Sequence, residues 1–179
     1  MKSRTLSILF LVLCIAFALI YGAQQGWQKD YAAVEEVLSS LDQHLNTRVE
    51  TACNILTVAL RHTDRDDASV ASLTQIRDTL RSDASLADKA RANEQMTLEA
   101  ENLLKRLASL ESVQDDDRDS MYVNSMLPRM LSESAAYAAQ SEYNTAARDF
   151  NARFSKNTIS SFIAAQFGVA PFELFGAAE

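Results

Sequence analysis

The chain has 179 residues, is 47% hydrophobic and carries a formal charge of −7. That length suits one domain with a short appendage, and the apolar fraction argues against wholesale disorder. The acidic balance repels nucleic acid and anionic headgroups, so no nucleic-acid partner is expected.

Residues 1–5 form a basic flank with Lys2 and Arg4. Residues 6–23, LSILFLVLCIAFALIYGA, carry no charge and just reach the length of a transmembrane helix. Tyr21 and Trp27 follow at interfacial depth. The rival reading is a cleavable signal peptide. A cut after Ala23 would put Tyr21 at −3, a poor fit, and Val12 and Leu13 before Cys14 do not make a lipoprotein site. A retained single-pass anchor is therefore expected, with membrane lipid as the partner of residues 6–23. The positive-inside rule puts the N-terminus in the cytoplasm and the rest outside. Lys29 lies close behind the span, so the opposite topology stays open.

Residues 27–175 form the expected bundle domain. From Trp27 to His62 apolar residues recur in steps of three or four: Val34, Leu38, Leu41, Leu45, Val49, Ala52, Ile55, Leu56 and Ala59. This helix can run on directly from the span. His62 to Asp67 reads as a turn, with Asp66 or Asp67 as the next N-cap. A stripe of Val70, Leu73, Ile76 and Leu80 follows, then Met96, Leu98, Leu103, Leu104, Leu107 and Leu110. Ser82 to Ser85 separates them without Gly or Pro, so one bent helix and two helices are both open.

Gln114 to Asp119 is a polar connector. A last long helix is expected over about 120–157, its stripe including Met126, Met130, Tyr137, Tyr143, Ala147, Phe150 and Phe154. Pro128 falls in its first turns, where proline costs least, and can mark its true start. Phe162, Ile163, Phe167, Phe172 and Phe175 belong to a short apolar tail expected to pack over one end of the bundle. Only 4 glycines and 2 prolines occur, and Pro128 is the one breaker between Gly26 and Gly168, too few for a sheet protein. The predicted fold class is all-α: an N-terminal transmembrane helix, then an antiparallel bundle of three to four long, coiled-coil-like helices.

Catalytic chemistry is hard to place. Cys14 and Cys53 do not make a disulfide framework. His44 and Cys53 point to opposite sides of one helix, while His44 and His62 lie about 27 Å apart along it, so no metal or His–Cys site is expected. Asp115, Asp116 and Asp117 lack the order of a calcium loop and read as a solvated connector and helix cap. No phosphate loop exists, and the serines show no partnering histidine signature. Met121, Met126 and Met130 read as core. Asp42, Arg48, Asn54 and Glu133 lie in or beside apolar stripes. Arg48 and Glu133 either pair between helices or both reach solvent. No enzyme, cofactor or metal is expected.

Several of these residues carry a resemblance. Leu41-Asp42-Gln43-His44-Leu45-Asn46-Thr47-Arg48, followed by Asn54-Ile55-Leu56, resembles the VDVQLKRR…NLVETV block of the LemA family of bacterial membrane proteins. Glu133 precedes Tyr143-Asn144 as in that family's E…YN pattern, and Phe150-Asn151 stands for the second YN. Ala165-Gln166-Phe167-Gly168-Val169 with Phe172 and Phe175 is similar to its close. The family's FP pair appears as Asn157-Thr158, one extra residue precedes Gly168, His44 stands for Gln and Gln140 for Arg. The resemblance spans roughly 6–175, loosely in the middle.

It implies a helical bundle on one membrane anchor in the bacterial plasma membrane, and assigns no catalytic residue. The expected function is an interaction or scaffold module of the cell envelope, acting through other envelope proteins or self-association. The alternative is an extracytoplasmic ligand-sensing domain that signals through a partner.

Overall fold

A computed structural model describes residues 2–135, 137–156 and 158–176, with residues 2–5, 138 and 158 as backbone alone. α1 (Lys2–His62) is one continuous helix of 61 residues, about 90 Å long. It passes from the apolar segment into the bundle without a break, as helix-forming residues and the unbroken three-and-four stripe allow. Residues 6–22 of the segment are exposed and Ala23 is half-buried, and α1 is long and apolar enough to cross a membrane. Among the described residues, Trp27 is the first buried side chain along α1 and Phe175 the last along the chain.

Two helices, not one bent helix, follow: α2 (Ala68–Arg81) and α3 (Leu86–Ala108). Asp67 caps α2 by accepting from the N–H groups of Ser69 and Val70, and Ser85 caps α3 by accepting from Asp88 N. Each cap satisfies helix-end donors that have no partner inside the helix. These serines and aspartates do the work that Gly or Pro would otherwise do, so the chain reverses at Ser82–Ser85 without either. α2 returns along α1, and α3 turns back again, bringing Asn93 and Thr97 beside Arg48.

The short helix α4 (Glu111–Gln114) runs up to the expected connector, and α5 (Asp117–Met121) starts inside it. The expected last helix over 120–157 is instead a series of shorter pieces: the end of α5, a π turn (Tyr122–Met126), α6 (Leu127–Glu133) and α7 (Tyr137–Lys156). Asp116 caps α5. Pro128 stands in the first turn of α6. Proline lacks the N–H for a bond to Asn124 O and its ring crowds that carbonyl, so the widened turn falls where the ladder is broken. A second break at Ser134–Ala135 resets the helical phase.

The buried stripes are therefore Val123, Leu127, Leu131, Ser134 and, separately, Ala139, Tyr143, Ala147, Phe150. Met121, Met126, Tyr137 and Leu98, all expected inside, are exposed. Asn157 lies outside the described residues. α7 runs antiparallel to α1, and α8 (Thr158–Ala165) packs on α1 as well. The described residues contain helices, turns and extended tail but no strand. The fold is all-α, a helical bundle around the lower two-thirds of α1.

Candidate functional site

The densest polar construction in the bundle joins α7 to the tail. Asn144 and Asn151 lie two helical turns apart and leave the same face. Asn144 Nδ2 donates to Phe175 O at 2.8 Å, and its Oδ1 accepts from Phe175 N at 2.9 Å. Asn151 treats Phe172 the same way, both bonds at 2.8 Å. Two helical turns advance about 10.5 Å, and three extended residues advance about 10 Å. The two amides therefore stay in register with an extended strap running opposite to α7. Between them the Tyr143 hydroxyl donates to Glu173 O. Burial, followed by the charges of Glu173 and Asp42, pushes the Tyr143 phenol up to about 12, so it stays a donor.

Under the strap lies an aromatic cluster. Trp27 and Tyr31 of α1 meet Phe150 and Phe154 of α7 and Phe172 of the tail, with centroids 4.5 to 5.9 Å apart, mostly edge to face. The strap gets back to this cluster through Gly168, whose φ is 82°. Val169 N bonds Ala164 O and Gly168 N bonds Ala165 O, closing α8 in the manner that favours glycine at the turning residue. A Cβ on Gly168 would meet nothing within 4 Å, so the demand is on backbone conformation alone. The tail expectation holds in part: Phe172 and Phe175 pack on the bundle, whereas Phe162 and Phe167 are exposed.

Arg48 is 1% exposed and does not pair with Glu133. Its Nη2 donates to Asn93 O at 2.9 Å and to Thr97 Oγ1 at 2.7 Å, and its Nε has no partner among the described residues. Glu133 is an exposed residue of α6 that pairs with Arg129 one turn away. The register idea fails because the groups that meet the Arg48 guanidinium come from α3, while Glu133 of α6 is exposed. No carboxylate among the described residues forms an ion pair with Arg48. Burial pulls its pKa below the usual guanidinium value, with the nearby Tyr137 opposing.

The far end of α1 carries a second polar knot. Arg61 donates to both oxygens of Asp119 at 2.6 and 2.9 Å, and His62 Nε2 lies 3.0 Å from Asp119 Oδ2. His62 Nδ1 lies 3.1 Å from Ser112 Oγ. The sequence pairs no serine with a histidine; the structure does, because Ser112 and His62 lie 50 positions apart and meet only when α3 and α4 return to the end of α1. The residue order is that of a hydrolytic relay. Its electrostatics differ: Arg61 already neutralises Asp119, so the carboxylate has less charge with which to stabilise a histidinium. Burial alone would push the Asp119 carboxyl up, but hydrogen bonds from His62 and Arg61 outweigh it and hold the group below its ordinary range. The knot is a tie between the end of α1 and α5.

A half-open cleft of about 660 Å³ lies between α3 and the π turn with α6. Leu104, Ala108, Val123 and Leu131 give it an apolar floor, and Glu101 and Lys105 stand on its wall. Thr97 links it to Arg48. Among the described residues no group of three His, Cys, Asp or Glu side chains is arranged to hold a metal.

Of the residues singled out by sequence, Tyr143, Asn144, Phe150, Asn151 and Gly168 converge on the strap. Leu45 is buried on α1 and Asp42 half-buried near Tyr143, while Asn54 is exposed. Sequence reasoning missed Asn93, Thr97, Ser112 and Asp119 as partners. It had a usable signal only for the strap: the seven-residue spacing of the asparagines against the three-residue spacing of the phenylalanines. No family model, curated protein or solved structure matches this chain.

Proposed function

We propose that this chain is a LemA-type interaction or scaffold module of the bacterial plasma membrane, without catalysis, its bundle held on the extracytoplasmic side. The observation that carries the reading is α1. One helix supplies both the exposed apolar segment and the central core of the bundle, so the bundle is rigidly coupled to its anchor. Five residues of the resemblance, Tyr143, Asn144, Phe150, Asn151 and Gly168, build one strap, which supports the family reading for the C-terminal part; Arg48, Asn54 and Glu133 lie elsewhere. Exposed apolar side chains away from the anchor, Leu98, Met121 and Met126, suit contact with another protein. The test is photo-crosslinking in native membranes from positions 98, 121 and 126, with a reporter on the C-terminus to fix the compartment. A discrete adduct, to a second copy or to one envelope protein, is expected from at least one position and lost on Met121→Glu. A strictly monomeric protein with no adduct from any position overturns the reading.

The cleft beside Thr97 favours the alternative, a ligand-sensing domain. Its size and apolar floor suit a small amphipathic molecule, and a buried guanidinium one hydrogen bond behind the wall suits a carboxylate head. Thermal shift against alkyl carboxylates of graded length tests this. Stabilisation that rises with chain length and vanishes in Ala108→Trp supports it; equal shifts in both proteins sink it.

A further inference from the structure

From residue 157 to residue 172 the chain has no charged side chain, although 23% of the whole sequence is charged. α8 falls in that stretch. Its buried residues are small, Ser161 and Ala164, which lets the helix sit close to α1. Ile163 is half-buried toward α1, but the other large residues are exposed: Ile159 is 81% exposed and Phe162 68%, and Phe167 just beyond the helix is 49% exposed. A protein surrounded by water rarely leaves such a cluster uncovered.

Where α8 sits says what covers it. It packs on α1 at Leu19, Ile20 and Ala23, which line one groove with Lys156, Ile159, Ser160 and Ile163. Leu19, Ile20 and Ala23 belong to the last turns of the apolar segment, which is exposed from residue 6 to residue 22. The outer face of α8 is thus continuous with the lipid-compatible surface of the anchor and lies at the depth where that anchor leaves the membrane. Lys156 stands at the edge of the groove, where its stem can lie on apolar surface while its ammonium reaches headgroup phosphates.

We infer that α8 and Phe167 lie in the interfacial layer of the bilayer crossed by α1, giving the chain a second membrane contact after its anchor. This rests on the anchor reading. The covering partner is the acyl–headgroup boundary, the usual bed of an amphipathic helix. The small hydrophobic helix is then fixed on one side by α1 and on the other by lipid, and Gly168 turns the chain back out toward the strap.

The test uses the full chain, made cysteine-free by C14S/C53S, in vesicles of phosphatidylethanolamine and phosphatidylglycerol. Single fluorophores are placed through Phe162→Cys, Ile159→Cys, Leu13→Cys in the middle of the anchor, and Glu94→Cys on the exposed face of α3. Nitroxide-labelled lipids and aqueous iodide are the quenchers. At 162 and 159, quenching by nitroxide near the headgroups is expected, with iodide quenching several-fold weaker than at 94. Strong iodide quenching at 162 and 159, with position 13 still quenched by deep nitroxide, overturns the inference and leaves the anchor standing. No lipid quenching at position 13 overturns the anchor reading and this inference together. Shielding from both quenchers that grows with protein density overturns it in favour of a second copy covering α8.

Discussion

The two ends of the bundle are tied by different physics. At the end near the apolar segment, five aromatic rings and two asparagine amides hold an extended strap against α1 and α7. At the far end, one buried carboxylate gathers Arg61 and His62 from α1. The near end depends chiefly on shape and neutral hydrogen bonds, with one exposed ion pair, Arg153–Asp30, beside them, so salt and pH touch it little. The far end depends on charge, which both can loosen. The difference teaches that this bundle has one end built to stay closed and one whose closure is conditional.

The largest expected effect is at the near end. Phe150→Ala removes the ring shared by Trp27, Tyr31, Phe154 and Phe172, and should cost about 4 kcal/mol in chemical unfolding. Next comes Arg48, midway along the bundle. Arg48→Ala should cost about 3 kcal/mol through the cavity and the stranded Asn93 and Thr97 acceptors, whereas Glu133→Ala should stay within about 0.5 kcal/mol. Equal losses from the two, or strong non-additivity in the double variant, would revive a direct pair between them.

Asn151→Ala and Asn144→Ala should each cost about 2 kcal/mol, two hydrogen bonds apiece. Limited proteolysis after Phe172 should then speed up while hydrogen exchange in α2 stays unchanged. At the far end Asp119→Ala should cost a similar amount, about 2 kcal/mol. There the pH dependence separates the ends. A carboxyl held below its ordinary value contributes stability that is fully present above the unfolded pKa of about 4 and is lost as pH falls through the folded value. Hydrogen exchange around α5 should therefore rise below about pH 4 before exchange around the strap does. Simultaneous loosening of both ends would break the comparison.

Much of the architecture could be read from sequence because α1, α2 and α3 keep unbroken apolar periods, and Asp67 marks a helix start by side-chain chemistry. The region from Glu111 to Glu133 could not. Val123, Leu127 and Leu131 repeat at the same pitch as the methionines at 126 and 130, so the period alone cannot choose a face, and the π turn and the break after Ser134 shift the phase. Arg48 shows the same limit in another form: its stripe position signals burial, but a backbone carbonyl such as that of Asn93 leaves no trace in composition. Asp119 sits in an acidic run where nothing distinguishes it from Asp115 or Asp117 until α1 supplies its arginine and histidine.

On the anchor reading, α1 is also a lever. If its first third sits in lipid, the remainder projects for nearly 60 Å beyond the bilayer surface at the helical rise. A tilt of about 20°, ordinary for a single span, would sweep its distal tip sideways by roughly 20 Å. Modest changes in bilayer thickness would thus become large displacements of the Asp119 end, and an adjacent molecule at that height would sense the membrane without touching it.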